Sequence, residues 1–152
     1  MTRKEQAMKA FTEGYNCTQS IVIAFEDLIP VEREIAIQMV SPFGGGMGRL
    51  REVCGGVSGM FMVLGYVNGY HDPKDFEGKK KLYEQVQELA SRFEKENGSI
   101  VCRNLLGLSV EKEEATPSKR TDEYYKKRPC KELVGCAAEI LEMYLSEQGL
   151  LK

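Results

Sequence analysis

The feature that most constrains the fold is a cluster of glycines beside a cysteine, in the stretch PFGGGMGRLREVCGGVSGM at residues 42–60. Gly44, Gly45, Gly46 and Gly48 crowd the loop, and two more glycines directly follow Cys54. Glycine is costly in a regular element, but it permits positive φ and lets backbone amides converge on one point. We therefore expect a shaped loop, followed by a helix whose glycines admit a neighbouring helix or a bound group. The alternative is that these glycines serve helix packing alone.

Length and charge exclude several classes of protein. With 152 residues, 42% of them hydrophobic, the chain can bury a core as a single domain spanning residues 1–152. Its 21 basic and 23 acidic side chains are spread along the sequence, so nucleic acid is not an expected partner. The N-terminus has no apolar run of signal-peptide length. The uncharged stretch at 53–71 is short of the roughly 20 apolar residues of a membrane span. We expect a cytoplasmic protein without a membrane span.

Apolar periodicity predicts helices along most of the chain, and no segment alternates as a strand would. Asn16 and Gln19 form a capping-box pattern at the start of the second helix, and the third helix places Ile35, Met39 and Val40 on one side. Helices are expected at 4–11, from 16 to before Pro30, at 31–43, from 50–52 onward, at 75–96, at 99–107 and at 129–148. Residues 110–129 are expected to form an exposed crossing with room for one helical turn. The predicted fold is an all-α bundle of about five to seven helices, with the glycine loop before a buried central helix.

Three cysteines are expected in the first turns of helices. Cys17 follows the N-cap of the second helix, and Cys130 follows Pro129. Cys102 lies three residues beyond Ser99, the expected N-cap of the short helix. An odd total of five cysteines argues against a fully paired secreted framework. In a reducing compartment, clustered thiols indicate redox or metal chemistry, although free cysteines can also serve as small core residues.

Helix starts favour the ionised form of cysteine. Unpaired N–H groups and the positive end of the helix stabilise a thiolate, which lowers the thiol pKa and raises reactivity. Cys54 shares this setting near the start of the central helix, and Arg49 and Arg51 precede it. We therefore take Cys54 as the leading nucleophile candidate. The candidate catalytic residues, expected to meet in one electropositive pocket, are Cys17, Cys54, Cys102 and Cys130.

The fifth cysteine and the single histidine are not expected to act. Cys136 stands six positions after Cys130, which is about 240° around the same helix, and it begins the core-like run CAAEIL, so we expect a structural role. His71 lies in GYHDPKD and is expected in a solvent-facing turn. The sequence contains no Walker loop, no Cys-x-x-Cys and no Cys-x-x-Cys-His haem motif, and one histidine gives no support to zinc hydrolysis.

The glycine loop and the cysteine after it resemble a family named for its cysteine pattern, C_GCAxxG_C_C, which is described as redox-active. That family has an early cysteine in a YNC setting, an FGGGMGR loop before Cys-Gly-Ala-x-x-Gly, a cysteine before a leucine pair, and one before the last helix. These features fall on Cys17, on Cys54 with Gly55 and Gly59, on Cys102 and on Cys130. Gly56 stands where the family usually has alanine, and Cys136 is outside the pattern. The resemblance implies redox activity but no particular reaction. A related module in split-Soret cytochromes implies an association with haem and an iron–sulfur site.

Three functions stay open from the sequence. In the first, two of the four candidate cysteines cycle between dithiol and disulfide, or pass electrons, with an unidentified redox partner or small molecule. This would make the protein a thiol-based oxidoreductase. In the second, all four thiolates ligate one [2Fe–2S] cluster or a zinc ion. In the third, the protein is a non-catalytic helical binding module, which could form a homodimer. The candidate cofactor-binding residues are Gly44, Gly45, Gly46, Gly48, Arg49 and Gly55.

Overall fold

The computed structural model describes residues 1–108 and 113–151, and these form an all-α fold. The described ranges contain eight right-handed helices. These are α1 (Arg3–Thr12), α2 (Cys17–Ala24), α3 (Arg33–Val40), α4 (Gly55–Asn68), α5 (Phe76–Asn97), α6 (Cys102–Leu105), α7 (Asp122–Lys127) and α8 (Cys130–Glu147). Short 3₁₀ turns follow α2 and α3. The predicted fold class is confirmed. The helix count exceeds the expected five to seven because α7, expected as a single turn, is a separate helix of 6 residues.

Several helix ends follow side-chain caps that the sequence carries. At the start of α2, Asn16 accepts a hydrogen bond from the backbone of Gln19, and the Gln19 side chain accepts one from the backbone of Asn16. The predicted capping box is therefore confirmed, and a second capping box starts α1. Helix α5 begins after Asp75, whose side chain accepts from a backbone N–H of the first turn, and it ends at Gly98 with φ 89°. These local signals fix where the long helices begin and end.

The central helix α4 begins later than the sequence predicts. Its first residue is Gly55 and its N-cap is Cys54, whereas a start at 50–52 was expected. The later start arises because Arg51 has φ 59°, which a right-handed helix does not permit, and because Val53 forms an antiparallel bridge with Val101. Cys54 therefore lies at the N-terminal end of the helix, just before its first turn.

The same bridge shifts the start of α6. Cys102 is its first residue and Val101 is its N-cap, so the prediction that Ser99 caps this helix is wrong. The Ser99 hydroxyl instead accepts the N–H of Val101 at 2.9 Å. Across the bridge, the N–H of Cys54 donates to the carbonyl of Ile100 at 2.7 Å, and the N–H of Cys102 donates in the opposite direction. The bridge thus holds the starts of α4 and α6 side by side.

Helix α8 lies at the centre of the bundle. It packs against α1, α2, α4 and α5, while α2 also packs against α1, α3 and α4. The largest side chains excluded from solvent include Phe11, Phe25, Met60, Leu64, Leu89, Phe93, Leu141 and Leu145. Within the described ranges, no helix combines the length and the apolar character that crossing a bilayer requires. The assignment of residues 1–152 to a single domain stays a prediction.

Two glycines of α4 allow α2 to approach closely. A Cβ on Gly59 would lie 2.6 Å from the Cβ of Ile21, and a Cβ on Gly55 would lie 2.8 Å from the Cβ of Cys17. Both separations are below ordinary contact distance, so only glycine fits. The Thr18 hydroxyl donates to the carbonyl of Gly55 at 2.8 Å and joins the first turns of the two helices. The predicted close approach is confirmed, and it brings the N-termini of α2 and α4 together.

Candidate functional site

The glycine loop is one turn of left-handed helix. Gly45, Gly46 and Gly48 have φ of 71°, 68° and 60°, and Met47 has φ 70°. The N–H of Gly48 donates to the carbonyl of Gly44 at 2.9 Å, which closes the turn. This conformation costs an L-residue roughly 1–2 kcal/mol, whereas glycine adopts it freely. The glycine cluster therefore allows a left-handed turn that residues with a side chain rarely adopt.

Two arginines continue the left-handed backbone and carry guanidinium groups into the site. Arg49 and Arg51 have φ of 69° and 59°. Strain of this kind persists where the surroundings hold it, commonly at functional sites. The buried Arg51 donates from Nε to Glu113 at 2.6 Å, and Arg49 donates from Nη2 to the same carboxylate at 3.2 Å. Arg51 Nη1 also lies 3.5 Å from Sγ of Cys102. The strained backbone thus positions Arg51 beside the Cys102 sulfur and brings both arginines to one carboxylate.

The four cysteines singled out in the sequence line one cavity of about 270 Å³. Cys17, Cys102 and Cys130 are the first residues of α2, α6 and α8, and Cys54 is the N-cap of α4, so four helix starts converge. Their thiols are free rather than joined in disulfides. The residues predicted to bind a cofactor line the same cavity, namely Gly44, Gly45, Gly46, Gly48, Arg49 and Gly55. Whether they hold a cofactor stays a prediction.

Cys17 and Cys130 form a pair within this cavity. A hydrogen bond from Cys17 lowers the pKa of Cys130 to about 7, against the opposing effect of burial. The same interaction, together with burial, raises the pKa of Cys17 well above its ordinary value. The nearby charges of Arg128, Arg51 and Arg120 also favour the Cys130 thiolate. The pair therefore loses its first proton more readily than its second.

The other two thiols are held in the protonated form. Burial raises the pKa of Cys54 to about 12, although backbone N–H groups of α4 act in the opposite direction. Burial also raises the pKa of Cys102, and the hydrogen bond from Arg51 only partly offsets it. Of the four thiols at helix starts, only Cys130 has a lowered pKa, and the cause is the hydrogen bond from Cys17 with the charges of nearby arginines rather than the helix start itself. Desolvation outweighs the helix dipole at Cys54, so Cys130 replaces it as the leading nucleophile candidate.

Comparison with known proteins identifies the family of the chain. Residues 15–144 match the family described as "Putative redox-active protein (C_GCAxxG_C_C)". The chain belongs to the C_GCAxxG_C_C family. The matched range contains the glycine loop and every cysteine that lines the cavity. No curated protein and no solved structure matches the chain.

In this C_GCAxxG_C_C protein, one wall of the cavity comes from a segment predicted to be an exposed crossing. Arg49 donates from Nε to the carbonyl of Glu114 at 2.8 Å and from Nη1 to the hydroxyl of Ser118 at 3.2 Å. Arg120 donates to the carbonyl of Phe11 at 2.9 Å, and its guanidinium lies 4.1 Å from the centroid of the Phe11 ring. The segment 113–120 is therefore tied to the site rather than free in solvent.

Sequence reasoning missed the functional setting of Glu113, Arg120 and Tyr124. Mixed charges around a proline are typical of a solvated loop, and nothing local indicates that the two arginines near the glycine loop hold the segment. Much of the segment is exposed as predicted, namely residues 114–117, 119, 121–123, 126 and 129, whereas Glu113, Ser118 and Arg120 are partly buried. Residues 110–112 of the predicted crossing lie outside the described residues. The predicted helical turn corresponds to α7.

Cys136 does not line the cavity, as its place outside the family pattern suggested. Its thiol donates to the carboxylate of Glu96 at 3.0 Å and accepts from the side chain of Asn97 at 3.5 Å. Burial raises the pKa of Cys136 to about 11. His71 is exposed in a loop, as predicted. Both residues are separate from the chemistry of the cavity.

The metal-binding prediction can be tested against the donor geometry. Four cysteine sulfurs are a suitable donor set for a [2Fe–2S] cluster or a zinc ion. In residues 1–108 and 113–151, however, no group of three or more histidine, cysteine, aspartate or glutamate side chains is arranged to hold a metal ion. The thiols share a cavity without surrounding one centre closely. A metal site at these residues is therefore not shown among the described residues.

Proposed function

We propose that this protein is a thiol–disulfide oxidoreductase in which Cys17 and Cys130 form the redox pair. The observation that supports it is that the two thiols line one cavity with Arg51 and Arg120, where Cys17 lowers the pKa of Cys130. Thiolates, not thiols, attack disulfides, and the best attacking thiol has a pKa near the ambient pH. Of the four cysteines in the cavity, Cys130 meets this requirement. The redox-active description of the family agrees with the proposal.

The exchange proceeds through a mixed disulfide. The Cys130 thiolate attacks one sulfur of a substrate disulfide, a new S–S bond forms, and the first substrate thiolate leaves. That thiolate takes the proton of Cys17. The resulting Cys17 thiolate attacks Sγ of Cys130, forms the Cys17–Cys130 disulfide and releases the second substrate thiolate. The substrate disulfide gains two electrons and the protein dithiol loses two, and a thiol reductant reverses the cycle.

Cys54 and Cys102 have a different place in this proposal. Because burial keeps both thiols protonated, neither is a nucleophile at neutral pH. Cys102 instead contacts Arg51, one of the cations that favour the Cys130 thiolate. A change at Cys102 should therefore alter the reactivity of Cys130 without replacing it. We assign Cys102 a positioning role and Cys54 a packing role at the start of α4.

The test is to map the disulfide that forms on mild oxidation. Reduced protein, purified anaerobically, is oxidised with a small disulfide, its free thiols are blocked with iodoacetamide, and the linked peptides are identified by mass spectrometry. We expect the loss of two thiols and a link between Cys17 and Cys130. Cys130→Ser should abolish the reaction, and Cys17→Ser should stop at the mixed disulfide on Cys130. Cys136→Ser is the matched control and should react as the parent protein does. A link between other cysteines, or full reaction of Cys130→Ser, would overturn the proposal.

A second candidate is a metal centre, a [2Fe–2S] cluster or a zinc ion, held by all four cysteines of the cavity. The observation in its favour is that Cys17, Cys54, Cys102 and Cys130 line the same space. It requires the thiols to move closer to one another. Iron with sulfide, or zinc, in stoichiometric amounts after anaerobic purification would support this candidate. A metal-free protein that loses two thiols supports the redox pair. A protein that holds no metal and loses no thiols would favour the helical binding module.

A further inference from the structure

Among the described residues that line the cavity beside the redox pair, cationic side chains outnumber anionic ones. Arg49, Arg51 and Arg120 all line it. Arg49 and Arg51 share one carboxylate, that of Glu113. Arg120 donates to the carbonyls of Phe11 and, at 3.2 Å, of Tyr15, and these groups carry no net charge. None of the ion pairs found among the described residues involves Arg120. Its charge is therefore available to a ligand.

Glu113 shows which kind of anion this cavity accepts. One carboxylate oxygen lies 2.6 Å from Arg51 Nε, and the other lies 3.2 Å from Arg49 Nη2. Arginine binds carboxylates through such paired contacts, and its fixed donor geometry matches their planar shape. An internal carboxylate thus already occupies the arginine pair. A second carboxylate, brought by a ligand, would find Arg120 as its partner.

Arg120 lines the same cavity as the reacting sulfur and packs against aromatic rings. Its guanidinium lies 4.1 Å from the ring centroid of Phe11 and 5.2 Å from that of Tyr124. The positive charge of Arg120 also lowers the pKa of Cys130 and so favours its thiolate. Attraction between charges is stronger in such a partly desolvated place than in bulk water. An anion bound at Arg120 would therefore lie in the same cavity as the Cys130 sulfur.

The size and lining of the cavity limit the ligand further. Its volume of about 270 Å³ is near the lower end of small-molecule sites, which start at about 300 Å³. Leu105, Leu106 and Leu133 contribute apolar surface between the charged groups. A folded protein would have to insert a narrow loop to reach the sulfurs. A small molecule with a short apolar arm and an anionic end matches the space and the charge together.

We propose that the substrate of the Cys17–Cys130 pair is a small disulfide that carries carboxylate groups, with one carboxylate bound at Arg120 and one sulfur facing Cys130. This inference rests on the proposed function, because it assigns a substrate class to that redox pair. The step is the exchange described above: the small disulfide is the oxidant, its S–S bond breaks, and two small thiols leave. Arg120 binds the substrate and does not take part in proton transfer.

A charge series of small disulfides tests the proposal. Dithiodipropionate, 2-hydroxyethyl disulfide and cystamine have similar two-carbon arms but are dianionic, neutral and dicationic. The rate of oxidation of the reduced protein is measured with each probe and divided by the rate of the same probe with a free small thiol. The ratio between probes is then independent of how much Cys130 is ionised. We expect the dianion to react about 10-fold faster than the neutral probe and the dication more slowly, with the differences shrinking as salt is added.

Variants then test which cation is responsible. Arg120→Gln should remove most of the roughly 10-fold preference for the dianion, and Arg120→Lys, which keeps the charge, should retain much of it. Arg92→Gln is the matched control, because Arg92 pairs with Glu88 and Glu147 on the surface. Equal normalised rates for the three probes, or a preference that survives Arg120→Gln, would overturn this inference. Failure of every probe to form the Cys17–Cys130 disulfide would instead overturn the proposed function. The salt series on the unaltered protein needs no variant to fold.

Discussion

At the scale of single residues, the site depends on positions where a side chain is excluded for more than one reason. Gly46 has φ 68°, and a Cβ there would lie 2.7 Å from the Cβ of Cys102 and 2.8 Å from the Cα of Arg51. Gly48 has φ 60°, but its nearest neighbour, the carbonyl of Pro42, lies 3.9 Å away. Gly48 is therefore needed for its backbone alone. Gly46 is needed both for its backbone and to leave room for Cys102.

The ionisation of Cys130 gives a prediction at the same scale. The rate of its alkylation by iodoacetamide should rise with pH and reach half its maximum near pH 7, because the pKa of this thiol is lowered to about 7. An unperturbed cysteine would show this midpoint at about 8.5. Raising the pH removes the proton, so the reactive thiolate is present above the midpoint and is lost below it. The measurement is peptide-resolved alkylation across a pH series.

Cys136 provides an internal control in the same digest. Its pKa is raised to about 11, so its alkylation should still be slow where that of Cys130 is complete. The groups that act on Cys130 are Cys17, Arg128, Arg51 and Arg120, and loss of the Arg120 charge should shift the midpoint upward. A midpoint for Cys130 at or above the ordinary cysteine value would contradict the assignment of this thiol as the nucleophile.

At the scale of elements, the sequence predicts the helices well and two of their starts badly. The capping box of α2 and the Gly98 end of α5 are local signals, read directly from neighbouring residues. The starts of α4 and α6 depend instead on the left-handed backbone at Arg51 and on a bridge between Val53 and Val101. Pairing between residues so distant in the chain leaves no local pattern, so periodicity cannot place those starts.

Helix α3 shows a second limit of periodicity. The pattern places Ile35, Met39 and Val40 on one side, yet Ile35 and Met39 are 49% and 62% exposed. Ala36 and Val40 are buried instead. Apolar residues occupy adjacent positions along this helix, so more than one side satisfies the pattern. Only the packing of α3 against α2 decides between them.

The contact between α2 and α4 gives a prediction for this scale. Gly59→Ala should lower the free energy of unfolding by about 1–3 kcal/mol, because overpacking of this size forces neighbours to shift and the new Cβ would lie 2.6 Å from the Cβ of Ile21. Gly65→Ala on the same helix is the matched control. It meets nothing within 4 Å and should stabilise the protein by up to about 1 kcal/mol through helix propensity. Urea denaturation measures both, and similar effects of the two substitutions would show that the helices are not in close contact at Gly59.

At the scale of the whole molecule, the sequence predicted that four cysteines meet, but not which of them has which role. Four cysteines far apart in the chain were expected in one electropositive pocket, and they line one cavity. The sequence could not single out Cys17 and Cys130, because their pairing depends on how α8 packs against α2. It also could not place Arg120 in the wall. Helix starts are local features, whereas the partners around them are set by tertiary packing.

The central position of α8 gives a prediction for the whole fold. Leu141 is fully buried on this helix, so Leu141→Ala should lower the free energy of unfolding by about 2–5 kcal/mol. Met143 is 58% exposed, and Met143→Ala should change the stability by less than about 0.5 kcal/mol. Urea denaturation measures both. Leu141 lies about three turns from Cys130, so the pH midpoint of Cys130 alkylation should not move in either variant. A shifted midpoint in Leu141→Ala would show that the core controls the site directly.

The bridge between Val53 and Val101 offers a way to observe electron exchange without chemically modifying the cysteines. The amide proton of Cys54 points at the carbonyl of Ile100, and the amide proton of Cys102 points back across the same pair of segments. Both protons lie beside sulfurs of the cavity, in hydrogen bonds whose geometry their chemical shifts report. Nitrogen-edited magnetic resonance spectra of the reduced and oxidised protein should therefore differ at these two signals. The chemical shifts of two backbone amides would then report the oxidation state of the cavity.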